Sequence, residues 1–154
     1  MLNVVELITP GITDGGARTS DAISLKNVQR AWLICSAQQA AAAAVTWTPM
    51  QATDVAIGTN KVLTNAVPIM YNADCAAADV LARATAAKLY ATVAAIKHTL
   101  TIFQIDPDTA LDVDGGYDCL YVTTLGAQIL NLLSAIAVLE MRYQGDTMPS
   151  VIID

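Results

Sequence analysis

The chain has 154 residues, enough for one domain with a substantial core, and 55% of them are hydrophobic while only 14% are charged. The formal net charge is −6 and the basic residues are scattered, so no nucleic-acid site is predicted. No run of about 20 apolar residues is suited to span a membrane. Alanine supplies part of the hydrophobic excess, but the abundance of Leu, Ile, Val and Met favours a surface that neighbouring subunits cover.

The predicted elements are mostly short strands separated by turns. An apolar strand at 4–8 leads into residues 9–20, whose three glycines and one proline predict a loop or an extended arm. Apolar runs rich in residues that suit a pleated surface predict further strands at 23–25, 28–36, 45–51, 62–63 and 67–71. Within 45–51 the alternation places Val45 and Trp47 on one face and both threonines on the other.

Two alanine-rich segments are harder to assign, because local propensity and context disagree. Residues 37–44 favour a helix by composition but cover only about two turns, so we expect a low-complexity connection with room for a helical turn. Residues 79–95 permit a helix through their alanines, yet Val80, Thr85 and Tyr90 favour strand. We therefore predict two strands with a bend.

The carboxy-terminal third carries the clearest strand and turn signals. A strand at 97–105 has to stop at Asp106-Pro107, and one helical turn at 108–111 then precedes a turn at 114–116. Strands at 117–123 and 132–143 follow, with a short helix or loop at 126–131 between them.

This pattern predicts an all-β fold, namely an antiparallel β-sandwich or a jelly-roll-like barrel with short helical turns. We divide the chain into an amino-terminal strand and extended arm, residues 1–20, and a single β-sandwich domain, residues 21–154. The amino terminus has no basic n-region, so neither a signal peptide nor a membrane segment is expected.

No residue pattern in the sequence predicts catalysis, a cofactor or a metal. His98 is the only histidine, and without a nucleophile-elbow sequence it is expected to be a surface or half-buried strand residue. Five aspartates between 106 and 118 suggest calcium, but the loop spacing places Tyr117 where glycine is required. Aspartates that end strands and shape turns explain the cluster better.

The cysteines and aromatic residues are interpreted as core residues. Three widely spaced cysteines form no closed disulfide framework, which predicts reduced thiols of a protein made in a cytoplasm. Trp32, Trp47, Phe103 and Tyr117 lie in or beside apolar strands, so we expect them in the core.

Five segments, taken in order, resemble the small virion proteins of tailed bacteriophages that are encoded near the major capsid protein. They are Ile23–Val28, Val45–Ala52, Phe103–Pro107, Leu111–Cys119 and the ending from Arg142 to Asp154. The alanine-rich stretches 37–44 and 76–95 depart from the family pattern. The resemblance implies a β-sandwich head decoration (cement) protein that binds the outer surface of the phage head and stabilises capsomer contacts.

The resemblance also implies the partners and the location of the chain. Its partner would be the major capsid protein, and the chain would form a homo-oligomer, with a trimer favoured. Its location would be the virion, after assembly in the host bacterial cytoplasm.

A cement protein works through contacts, and apolar terminal segments are candidates for adding a strand to a neighbour's sheet edge. The candidate subunit or capsid interface consists of Leu2, Val4, Val5, Leu7, Ile8, Val151, Ile152 and Ile153. On this hypothesis, deletion of residues 1–12 weakens capsid occupancy and leaves the isolated fold intact. Pairing of each terminal strand within its own subunit is the equally weighted alternative.

Two other functions stay open at the level of sequence. A tail or head-completion (connector) protein differs from a decoration protein in copy number, about a dozen against hundreds per particle. A small enzyme or a ligand-binding β-barrel requires a polar pocket, which no pattern in the sequence indicates.

Overall fold

The computed structural model describes residues 2–12, 17–125 and 130–143. The strands of this part are β1 (Leu2–Ile12), β2 (Ile23–Ser24), β3 (Val28–Gln38), β4 (Thr46–Ala52), β5 (Asn60–Val62), β6 (Val67–Asn72), β7 (Ala82–Ala87), β8 (Tyr90–Ala91), β9 (His98–Ile105), β10 (Cys119–Leu125) and β11 (Leu132–Met141). A single helical turn, α1 (Pro107–Ala110), lies between β9 and β10.

The strands form two antiparallel sheets, so the predicted all-β fold is confirmed. The larger sheet has six strands in the order β1-β11-β3-β9-β6-β7, and the smaller sheet has the order β2-β10-β4-β5. Strand β8 also pairs with β4, opposite Thr46 and Trp47. Strands β1 and β7 are therefore the two edges of the larger sheet.

The core lies between the sheets and follows the alternation of each strand. On the larger sheet, Phe103 pairs with Leu33 on one side and with Ile69 on the other, and all three are fully buried. Trp47 and Leu120 from the smaller sheet belong to the same apolar cluster. Burial of these large side chains supplies the main driving force for packing the sheets together.

The outer face of the smaller sheet is covered by the chain itself. Ala52, Cys119 and Tyr121 form a second buried cluster there, and the 53–59 excursion packs Val55 and Ile57 against it. The excursion is closed by a hydrogen bond from the Thr53 amide to the Thr59 carbonyl, 3.0 Å long. This sheet thus has both of its faces covered over this region.

Most predicted strands are confirmed, and the largest difference is that β1 is longer than predicted. It continues to Ile12, so the predicted arm at 9–20 begins as strand, and residues 13–16 lie outside the described residues. After them Arg18 and Thr19 lie beside β10, with the Arg18 amide donating to Thr124 Oγ1 at 3.0 Å and Thr19 bridging to Thr123.

The alanine-rich segments also adopt defined conformations. Strand β3 extends through Gln38 into the first of them, and the rest of 37–44 contains bends without a helical turn. The second contains β7 and β8, as the prediction of two strands with a bend requires. Of the predicted short helix or loop at 126–131, residues 126–129 lie outside the described residues.

The helical turn α1 is set by the residues that precede it. Asp106 is its N-cap, and the side chain accepts a hydrogen bond from the Asp108 amide. Pro107 occupies the first turn, where the missing N–H costs nothing. No helix in the described part of the chain has the length and apolar character to cross a membrane.

Candidate interaction surface

His98 lies exposed in β9, as predicted, and it has a neighbour that the sequence does not reveal. Its Nε2 is 2.8 Å from the Oγ of Ser36 on the adjacent strand β3. Within the described residues no carboxylate hydrogen-bonds to His98. Strand β3 is paired on both sides at Ser36, opposite Ser134 on β11 and Leu100 on β9. The pair is a cross-strand surface hydrogen bond.

The aspartates between 106 and 118 are used as caps, turns and ion pairs. Asp108 accepts two hydrogen bonds from Arg142 Nη2, 2.5 and 2.6 Å long. Asp112 accepts from Lys61 Nζ and from the Gly115 amide, and the hydrogen bond from Lys61 is the main reason that the pKa of its carboxyl lies below the usual value. In the described ranges no three potential metal-ligating side chains come together.

The cysteines match the interpretation as small hydrophobic residues. Cys35 and Cys119 are buried, and Cys75 is half-buried. Burial raises the pKa of the Cys35 thiol well above its usual value. A thiol held neutral in this way is a packing group.

Depressions of about 210 to 360 Å³ lie on the described surface. One of about 210 Å³ lies between α1 and the start of β10, where Leu25, Leu111 and Val113 form its apolar part. The charges at its rim are paired, Arg142 with Asp108 and Lys26 with Asp118 at 3.6 Å. Ligand pockets typically enclose about 300–1,000 Å³, so this depression is below the usual size.

The structure divides the predicted amino-terminal interface residues into two groups. Leu2 and Val4 are 55% and 62% exposed, whereas Leu7 and Ile8 are only 4% and 3% exposed and belong to the core. Val5 is half-buried and packs against the same core. Within the subunit Leu7 and Ile8 are core residues, so Leu2 and Val4 are the members of the predicted set with largely exposed side chains.

The pairing of β1 explains this division. The strand runs antiparallel to β11 of its own subunit, from Leu2 opposite Glu140 to Ile12 opposite Leu132. None of the described strands pairs with its backbone edge away from β11, which we call the open edge of the larger sheet. Val151, Ile152 and Ile153 lie outside the described residues.

The most unusual surface is the outer face of the larger sheet, which points away from the smaller sheet. Its apolar members alternate with core residues along four neighbouring strands, and each is half-buried in the subunit: Trp32, Ile34, Met70, Leu100, Ile102, Ile136 and Val138. The solvent face of an antiparallel sheet is normally polar. We refer to this surface as the outer face.

Two aromatic assignments are corrected by this geometry. Trp47 and Phe103 are fully buried, as predicted, but Trp32 lies on the outer face, with the Arg30 guanidinium 5.9 Å from its ring centroid. Tyr117 is half-buried beneath the Lys61 ammonium group at 4.1 Å. Trp32 shares its face of β3 with Arg30 and Ser36, whereas the opposite face is apolar and buried from Ala31 to Ala37.

Comparisons with known proteins place no further constraint on the function. A scan against protein-family models, a search of curated proteins and a search of solved structures each find no match to this chain.

Proposed function

We propose that this chain is a structural virion protein, a decoration (cement) protein that binds the outer surface of a tailed-phage head and stabilises the contacts between capsomers. The observation that supports the proposal best is the apolar outer face, which a β-sandwich presents beyond its own core. A contiguous apolar patch on the outer side of a sheet is typical of proteins that function in an assembly.

The open edge of β1 is the proposed contact with the major capsid protein. An exposed strand edge binds an extended segment through backbone hydrogen bonds, and neighbouring side chains add apolar contacts. Leu2 is exposed beside this edge, and β1 regularly pairs with β11 over Leu2–Glu6 before the register shifts. The register of the edge strand is therefore regular where Leu2 lies and irregular beyond Glu6.

Stabilisation by such a protein follows from binding alone. A molecule that binds two adjacent capsomers together favours the assembled shell by mass action, and several weak contacts per oligomer add their effects through avidity. The resemblance favours a trimer, and this stoichiometry stays a prediction that the mass of the purified oligomer tests.

The direct test is binding of the purified protein to heads of the phage that encodes it, prepared without the protein. We expect saturable binding and a higher temperature of head disruption after binding. Leu2→Lys is expected to lower occupancy, while Val113→Lys, an exposed apolar residue in the 112–116 turn, serves as the matched control. Heads that bind no protein would contradict the proposal.

A further inference from the structure

We infer that the outer face is a two-fold contact between two copies of this chain, in which the larger sheets pack face to face. The inference goes beyond capsid binding, because the contact forms in solution without a capsid. The two sheets differ in a way that supports it: the smaller sheet is covered on its outer side by Val55 and Ile57, whereas the larger sheet leaves apolar side chains at its surface.

One row of side chains crosses the whole outer face. The pairing of adjacent strands places Glu6 opposite Ile136, Ile136 opposite Ile34, Ile34 opposite Ile102, Ile102 opposite Met70 and Met70 opposite Arg83. The row thus begins with a carboxylate on β1, contains four apolar residues and ends with a guanidinium on β7. Both charged side chains are exposed, and neither has an ion pair within the described residues.

This row is complementary to itself. Consider a two-fold axis that lies between the facing sheets, parallel to the strands and midway between β3 and β9. This axis places the row of one copy over the row of the other in the reverse order. At the centre, Ile34 of each copy then faces Ile102 of the other. At the ends, Glu6 of each copy faces Arg83 of the other. Opposite charges at both ends fix the orientation of the two copies, and an apolar centre supplies the affinity.

The same axis matches shape as well as charge. A depression of about 210 Å³ lies on the outer face between Pro68, Met70, Arg83 and Gln104. Val4 lies two residues before Glu6 on β1, at the far edge of the sheet from this depression. It pairs with Val138, and its side chain is largely exposed. The two-fold operation carries Val4 of one copy towards the depression of the other.

The outer face is close in size to one side of a standard protein interface. Six strands spaced about 4.8 Å apart span roughly 24 Å, and the eight residues of β9 extend about 27 Å along the strands. The resulting area approaches the roughly 800 Å² per partner of a standard interface. Aligned sheets pack about 10 Å apart, a gap that the side chains of Glu6 and Arg83 can bridge together.

A two-fold contact leaves the open edge of β1 available, because the contact uses side chains while strand addition uses backbone groups. The contact by itself produces a dimer. If copies also form trimers through another surface, the two contacts together produce a hexamer. Even-numbered species are therefore expected in either case.

The test is the solution mass of the purified full-length protein, measured by sedimentation over a range of concentrations. We expect an even-numbered oligomer that Ile34→Lys converts to species of half the mass, while Val113→Lys leaves the mass unchanged. Glu6→Arg and Arg83→Glu each raise the dissociation constant at least about tenfold, since each interface contains the pair twice. The double variant Glu6→Arg with Arg83→Glu restores most of the wild-type affinity.

Circular dichroism of each variant establishes that its sheets are intact before its mass is interpreted. A wild-type protein that stays monomeric at tens of micromolar would overturn the inference. An oligomer whose mass is unaffected by Ile34→Lys would also overturn it. A double variant that associates as weakly as the single variants would overturn it as well. Capsid binding by a monomeric protein would leave the proposed function standing and remove the two-fold contact alone.

Discussion

At the scale of single residues, Gln51 shows how one buried polar side chain joins three parts of the sandwich. Its Nε2 donates to the Val62 carbonyl at 2.8 Å and to Thr64 Oγ1 at 3.0 Å, and its Oε1 accepts from the Asp112 amide at 2.7 Å. The side chain therefore connects β4 to the end of β5 and to the turn that follows α1.

We expect Gln51→Ala to lower the free energy of unfolding by about 1–3 kcal/mol, because buried backbone groups lose their hydrogen-bond partner. Urea denaturation measures this change. Gln38→Ala is the matched control, since Gln38 is exposed at the end of β3 and its loss should change stability little. Equal effects of the two substitutions would contradict the assigned role of Gln51.

The ion pair of Asp112 predicts a pH dependence of stability. Lys61 and, to a lesser degree, the Gly115 amide hold the pKa of this carboxyl below its usual 3.8 in the folded protein. A lowered folded-state pKa means that the stabilisation is present above the unfolded-state pKa and disappears as the pH falls through the folded-state pKa. The contribution is therefore lost in the acid range below about pH 4.

Replacement of the lysine isolates this effect. In Lys61→Met the pKa of Asp112, measured by NMR titration of the carboxyl carbons, should rise towards its usual value while that of Asp74 stays low. The control is Lys97→Met, which should raise the pKa of Asp74 and leave Asp112 unchanged, because Lys97 pairs with Asp74 at 3.0 Å. An unchanged Asp112 in Lys61→Met would show that the pair is not formed in solution.

At the scale of elements, β1 is part of the fold and not a detachable arm. It pairs with β11 within the subunit and places Leu7 and Ile8 in the core. Deletion of residues 1–12 would therefore expose the β11 edge and leave a gap in the apolar cluster. Because of this structural role, we expect the deletion to disrupt the fold and not to leave it intact.

We predict that deletion of residues 1–12 strongly lowers the thermal unfolding temperature or prevents folding. Ile8→Ala alone should cost about 2–5 kcal/mol, as for other buried aliphatic truncations. Leu2→Ser tests the exposed end of the same strand, and its unfolding temperature should match that of the wild type. A truncated protein with the wild-type unfolding temperature would show that β1 is an arm after all.

The elements also show why the sequence predicts strands more reliably than faces. In β4 the polar threonines identify the exposed side, and Val45 and Trp47 are buried as the alternation requires. In β3 the size of Trp32 favours the core, but Arg30 and Ser36 lie on the same face of the strand and favour the surface. The structure places Leu33 in the core and Trp32 on the outer face, so the polar neighbours are the better guide.

At the scale of the whole molecule, the sandwich is predictable because turns and apolar runs recur along the chain. The candidate surface is not predictable in the same way, because it combines residues from six strands that are distant in sequence. Glu6 and Arg83 are separated by most of the amino-terminal half, and the row between them exists only once the strand order is known. The excess of apolar residues indicated a covered surface without locating it.

The most direct test of the proposed function is the quantitative protein composition of purified particles of the phage that encodes this chain. We predict that the chain is present at on the order of hundreds of copies per particle, as the repeated sites of an icosahedral head require. About a dozen copies would indicate a connector or tail ring instead. Absence of the chain from the particles would contradict the assignment as a virion protein.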